Sequence, residues 1–418
     1  MKKTLFIIAF FAAFVVNAQD AIVVSEERSW LENWTNFKPQ AKEYREATQI
    51  LSGNIDANTK LTKDKVYVLF GTVRVIKNAV LTIEAGTVIR GDYDTNGALM
   101  ITKGAKIMAA GTVTDPIIFT SNKKTSERKA GDWGGLLILG NAPLNTINNS
   151  AFGQFTINID YNGYGGTNEQ DNSGVLKYVR IEFAGKKDVT GYSPNGISLL
   201  GVGSKTLLEY IAISYSFDDS MQIYGGKVKL SNIVSFYAKD DDFDITQGAQ
   251  VDINNGLIIR NPFVSDILGS RGFELDNFVN KEYYDGSKKS TLIKLNNVTV
   301  ASVEKENDAG LAKQAIYLSE NTLIEINNSV ISGFDSMVCM ENNFFLKENY
   351  KKVVINNLIL NKVNNVVTEK EFVFENKEAV QNFIDINTAK GKITNKNLSS
   401  KELFVNPDVK NNPNFKLK

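Results

Sequence analysis

The segment AKDDDFDITQG, residues 238–248, sets Asp240, Asp241, Asp242 and Asp244 within a few positions of one another. Carboxylates this close repel, so they persist when solvated, when they accept hydrogen bonds at turns, or when a cation sits among them. Asp218 and Asp219 in FDDS, and Glu274 and Asp276 in RGFELDN, stand in related surroundings. Three arrangements fit these residues. The Asp side chains cap turns and face water; or they hold Ca2+, a hard cation that takes about six to eight oxygens and tolerates irregular geometry; or they form a catalytic carboxylate cluster acting on a polysaccharide. Asp241, Asp242, Asp244 and Glu274 are the expected metal ligands. Arg260, Arg271 and Lys294 are the cations near enough in sequence to neutralise them.

The chain has no His, which removes His-dependent triads, imidazole metal ligands and a His general base. No catalytic residue is assigned. Its 47 basic and 47 acidic residues balance. Loss of Lys2 and Lys3 with a leader would leave a slightly acidic chain, which argues against nucleic acid or an anionic membrane as main partner. The leader is MKKTLFIIAFFAAFVVNAQD. Its basic start, short apolar run and Val16-Asn17-Ala18 predict a signal peptide over 1–18 and an exported chain, with no transmembrane segment elsewhere. No Cys follows the expected cleavage point, so no lipid anchor is expected. Cys339 is the only cysteine, so no intrachain disulfide forms.

What positions the carboxylates is repetition. GISLLG (196–201), SMQIYG (220–225), DFDITQ (242–247), GFELDN (272–277), AIYLSE (315–320) and SMVCME (336–341) superpose without gaps, at offsets of 24, 22, 30, 43 and 21 residues. Alternation places Met221, Phe243 and Phe273 in one interior column and Cys339 inside. The outward row then reads Ser198, Gln222, Asp244, Glu274, Tyr317, Val338, and the next Leu200, Tyr224, Thr246, Asp276, Ser319, Met340. Near the N-terminus, LTIEAGTVI (81–89) recurs as LMITKGAKI (99–107) after 18 residues. Asn-Asn precedes an apolar run at 254–255, 296–297, 327–328 and 356–357. Asn tolerates left-handed backbone at a corner, and its amide can bond to the Asn of the next coil. Short strands repeating about every 22 residues without helical periodicity predict an all-β, single-stranded, right-handed parallel β-helix. The expected segments are a lead-in over 19–60, the β-helix over 61–362, and a C-terminal cap over 363–418 with a short helix at 376–387 and an irregular tail.

The stretches LTKDKVYVLFGTVRVIKNAVLTIEAGTVIRGD, ITKGAKIMAAGTVTDPIIFTSN and GDWGGLLILGNAPLN, with DDSMQIYGGKV, DDDFDITQG and RGFELDN, resemble a secreted Bacteroidota β-helix family of the pectate-lyase-like superfamily. The resemblance covers roughly 50–345 and implies the fold and a periplasmic, outer-membrane-surface or extracellular location. It also implies association with outer-membrane transport proteins, and it transfers no catalytic residues. Pectate-lyase-like enzymes pair acidic Ca2+ ligands with an Arg or Lys base, types present here. Polygalacturonase-like hydrolases share paired Asp residues but carry a Gly-His-Gly segment this chain lacks.

Tyrosines are frequent from 160 to 240, among them 161, 164, 178, 192, 215, 224 and 237. They either fill gaps between coils or stack on sugar rings. Tyr224, Arg271 and Asp276 are the expected ligand-binding residues. The leading expectation is an exported, non-enzymatic β-helix protein binding a glycan or an outer-membrane transport protein. The alternative is a Ca2+-dependent polysaccharide lyase acting on an acidic glycan.

Overall fold

The computed structural model describes residues 28–153, 161–189, 191–264, 269–303, 312–319, 321–341, 353–369 and 377–418. The signal peptide expected over 1–18 lies outside the described residues. The described chain coils into a parallel β-helix with three sheets, its strands stacked in register coil upon coil.

In the first sheet the strands Ile197–Leu200, Met221–Tyr224, Phe243–Thr246, Phe273–Leu275, Gln314–Leu318 and Ser336–Met340 lie side by side. Long strands such as Lys227–Phe236 and Gln250–Arg260 bend midway and serve the second and third sheets in turn. The bend falls where the chain adopts left-handed backbone: Asn232, Asn255, Asn297, Asn328 and Asn357 have φ between 47° and 66°. Asn pays little for that conformation. Its amide also repays it, since Asn255 Nδ2 donates to Asn232 Oδ1 at 2.9 Å and Asn357 Nδ2 to Asn328 Oδ1 at 2.9 Å. A second ladder runs beside the first, Asn356 to Asn327 and Asn327 to Asn296, both at 3.0 Å. In earlier coils the corner is taken by Tyr178 and Tyr210, whose rings stack at 4.2 Å.

The interior is a column of alternate residues from each sheet. Met221 pairs with Phe243 and Phe243 with Phe273, the two phenyl rings lying 5.2 Å apart and 22° from parallel. All three are buried.

Three sequence expectations are corrected. First, Leu81 stacks on Ile107 and Val73 on Leu99, each 26 residues on. The 18-residue recurrence therefore relates strands of different sheets; both carry the same i, i+2 pattern before a Gly corner, so similarity alone does not identify stacked neighbours. Second, Ile316 pairs with Val338 and Tyr317 with Cys339, an offset of 22 rather than 21. A one-residue slip exchanges the two faces. Cys339 therefore belongs to the outward row, although it is buried there, and Glu341 replaces Met340 in the next row. Third, the tail is not irregular: Phe404–Asn406 pairs antiparallel with Asn414–Leu417.

The ladder also runs beyond 61–362. Gln49–Ile55 pairs with Val66–Val75 at one end, and Asn365–Glu369 and Ile393–Lys396 continue it at the other. Helix Lys377–Ala389 sends Phe383 into the core at that end. The lead-in from Arg28 straps the outer face of the third sheet. Trp34 meets Tyr178 and Tyr210 edge-on, and Phe37 meets Phe236 and Phe415.

Truncating Phe243 to Ala removes a closely packed ring from the interior column. It should cost about 3–5 kcal/mol in denaturant unfolding; a loss near zero would mean the column does not hold the coils together.

Candidate functional site

The outward face of the first sheet carries the carboxylates. Its central row reads Ser198, Gln222, Asp244, Glu274, Tyr317 and Cys339, each paired with the next in register. Adjacent coils lie about 4.8 Å apart, so Asp244 and Glu274 are neighbours. A polar chain leads to them: Asn195 Nδ2 donates to Gln222 Oε1 at 2.7 Å, and Gln222 Nε2 donates to Asp244 Oδ2. Glu274 is paired with Arg271, whose guanidinium lies 4.7 Å over the Tyr317 ring.

At the strand entrances each carboxylate accepts a backbone N–H from the next coil. Asp219 Oδ1 accepts from Asp241 N at 3.1 Å, and Asp241 Oδ1 accepts from Arg271 N. These bonds hold Asp219 and Asp241 in a buried column. Asp218, Asp219 and Asp240 bring one oxygen each within 4.8 Å of one another. Among the described residues this is the carboxylate trio with metal-ligand spacing, although Lys187 Nζ stands 3.3 Å from Asp218.

Of the four expected metal ligands, Asp241, Asp244 and Glu274 share this face. Asp242 does not join them. It is fully buried, accepts from Ser235 Oγ and forms an ion pair with Arg260 at 2.6 Å. The chain curves inward just before each strand. A Cβ on Gly196 would meet Ile213 at 2.5 Å, and one on Gly272 would meet Val300 at 2.7 Å. Asp242 occupies the same step as these glycines and thus points inside, where only a cationic partner makes a carboxylate tolerable. Lys294 pairs with Glu325 at 2.9 Å, outside the group.

Burial and mutual repulsion favour the neutral acids. Asp276 is pushed up to about 6, first by burial, with Glu274 and Glu341 adding to it and the Ser319 hydroxyl opposing. Asp244 is raised well above the ordinary carboxylate range by burial and then by Glu274 and Asp276. Asp219 is raised by burial and then Asp244 and Asp218, and Asp241 by burial and then Glu274, to which it is hydrogen-bonded.

Tyr224 stands in the neighbouring outward row and faces two adjoining cavities. One, of about 440 Å³, is lined by Asp218, Asp219, Gln222, Asn195, Tyr192 and Tyr224. The other, of about 530 Å³, is largely aromatic, with Phe152, Tyr164, Tyr192, Tyr224, Phe278 and Tyr283 in its wall. Tyr164 is buried, its hydroxyl donating to Gln247 Oε1 at 2.9 Å. The rim is exposed, Phe152 at 71% and Tyr283 at 61%. The tyrosines thus divide: 164, 192 and 224 line the cavities, while 178, 215 and 237 pack under the N- and C-terminal segments. Sequence reasoning missed Asn195, Gln222 and Phe152 as cavity residues. Gln222 was legible as Asp244's neighbour in the repeat; Phe152 arrives on a long insertion with no periodic signal.

A family model described as a pectate-lyase like beta helix domain matches residues 53–401. No curated protein and no solved structure matches the chain.

The raised acids set a pH dependence. Each favours its neutral form in the folded state, so its contribution to stability is full below the unfolded value near 4 and is lost as pH rises through the folded one. For Asp276 that window runs from about 4 to about 6. The melting temperature should fall across this interval, and less so in Asp276→Asn. A melting temperature that climbs through it equally in both would contradict the assignment.

Proposed function

The chain belongs to the family of pectate-lyase-like β-helix domains, and from that premise we propose that it is an exported, non-enzymatic glycan-binding protein of the outer envelope. The observation that carries this reading is the junction of the aromatic cavity with the carboxylate-lined one at Tyr192 and Tyr224. The C–H faces of sugar rings stack on aromatic faces, and their hydroxyls donate to carboxylates and amides. A cavity with apolar walls and a few convergent polar groups suits such a ligand. Binding is favoured over catalysis because the carboxylates are engaged: Asp242 by Arg260, Glu274 by Arg271, and Asp244 by Gln222. An outer-membrane transport protein is the partner to which such a protein would deliver its glycan. Among the described residues no helix is long and apolar enough to cross a membrane.

The trio Asp218, Asp219 and Asp240 supports a second reading, a Ca2+-dependent lyase acting on an acidic glycan. Its hard oxygen donors fit Ca2+, which would bridge the protein to an acidic sugar. Arg271 is the residue of this face able to clamp that sugar's carboxylate.

Titration of the purified chain with a panel of neutral oligosaccharides tests the first reading. Tyr224→Ala should weaken binding about tenfold or more, and Gln222→Ala should weaken it while sparing the fold. Absence of binding across the panel would defeat it. The second is tested by thermal unfolding in EDTA and in millimolar Ca2+, with release of unsaturated products from polygalacturonate followed in parallel. A metal site predicts a higher melting temperature in Ca2+ that is lost in Asp218→Asn/Asp240→Asn; equal melting temperatures would remove the metal.

A further inference from the structure

The outward row that carries Asp244 and Glu274 holds a charge of the opposite sign five coils earlier. Arg74 pairs in register with Met100, Met100 with Leu137, and Leu137 with Ser198. At about 4.8 Å per coil, Arg74 stands roughly 24 Å from Asp244 along one continuous row.

Arg74 is 9% exposed, and among the described residues its Nη1 donates only to the Thr72 carbonyl at 3.2 Å. Its Nε is buried without a partner, and among the described residues no carboxylate forms an ion pair with it. Unpartnered Nε atoms also occur at Arg90, Arg180 and Arg271, but those guanidiniums have carboxylate or several carbonyl partners. Arg260 has Asp242, Arg90 reaches the carbonyls of Arg45, Asn122 and Lys123, and Arg128 reaches those of Lys42 and Lys123. A buried guanidinium without an anion is costly. Burial pulls it below the ordinary arginine value, consistent with that cost.

Arg74 lines a cavity of about 600 Å³ with Met100, Leu137, Asn96 and Lys186. Asp94 and Asp188 border the cavity without forming an ion pair with Arg74, and Lys187 is drawn to Asp218. Tyr192 belongs to this cavity as well as to the two described above, so all three adjoin.

We propose that Arg74 is an anion-binding subsite in the cavity that adjoins the aromatic and carboxylate-lined ones at Tyr192, taking a sulfate or carboxylate substituent of the bound glycan. This rests on the glycan reading for its ligand, but the subsite can be tested without a glycan. A guanidinium presents parallel N–H donors matched to an oxyanion, and an entering anion supplies the missing partner.

The test is calorimetric titration of the purified chain with sodium sulfate and, separately, sodium glucuronate, at constant ionic strength set with NaCl. At least one should bind in the millimolar range, with affinity reduced about tenfold or more in Arg74→Gln and partly restored in Arg74→Lys. Sulfate binding alone marks a sulfated ligand, and glucuronate binding marks a uronic acid. Melting temperature separates this from a packing role: Arg74→Gln discards an unpaired buried charge and should melt no lower than wild type. Absence of binding by either anion, or undiminished binding in Arg74→Gln, would overturn the subsite. Neutral oligosaccharides serve as the independent arm. Their failure to bind wild type would defeat the glycan reading while leaving the anion result standing.

Discussion

Every feature of this protein hangs on the parallel hydrogen-bond ladder between successive coils. The ladder forces equivalent residues to stack about 4.8 Å apart, so one residue's chemistry becomes the next one's environment. Inside, this is favourable: Met221, Phe243 and Phe273 bury one another. At the corner it is favourable for a different reason, because an Asn amide both donates and accepts and can join the amides above and below.

On the outward face of the first sheet the same rule makes like charges neighbours. Asp244 and Glu274 face each other across one coil spacing, with Asp276 beside them. Three devices make this tolerable. Backbone N–H groups of the following coil satisfy Asp219 and Asp241; Arg271 neutralises Glu274; and burial lifts Asp244 and Asp276 toward their neutral forms. Asp242 shows the alternative solution, a single interior carboxylate matched by Arg260.

The faces of the helix are also treated unequally. The third sheet is sealed by Trp34 and Phe37 from the lead-in and by Phe404 and Phe415 from the terminal hairpin. On the first sheet the described residues of the insertion after Leu139 add Leu144 and Tyr164 over Leu200, beside cavities at Tyr192 and Tyr224. That asymmetry leaves Asp218, Gln222 and Tyr224 of the first sheet bordering a cavity.

The fold class, the interior column through Phe273 and the Asn corners were legible in the residue order, because alternation and left-handed backbone are local requirements that a repeat displays several times. The adjacency of Asp244 and Glu274 followed from the same alternation. Three things were not legible. The inward turn of Asp242 depends on the curvature of the coil before the strand, which the glycines at equivalent positions reveal only once their neighbours are known. The place of Cys339 turned on one residue of loop length, a difference too small for pattern matching and enough to reverse a face. Arg74 lay far outside the repeats that aligned; only stacking through Met100 and Leu137 sets it in the carboxylate row. Local periodicity specifies which residues alternate, whereas the lengths and paths of the insertions decide which coils meet and what remains uncovered.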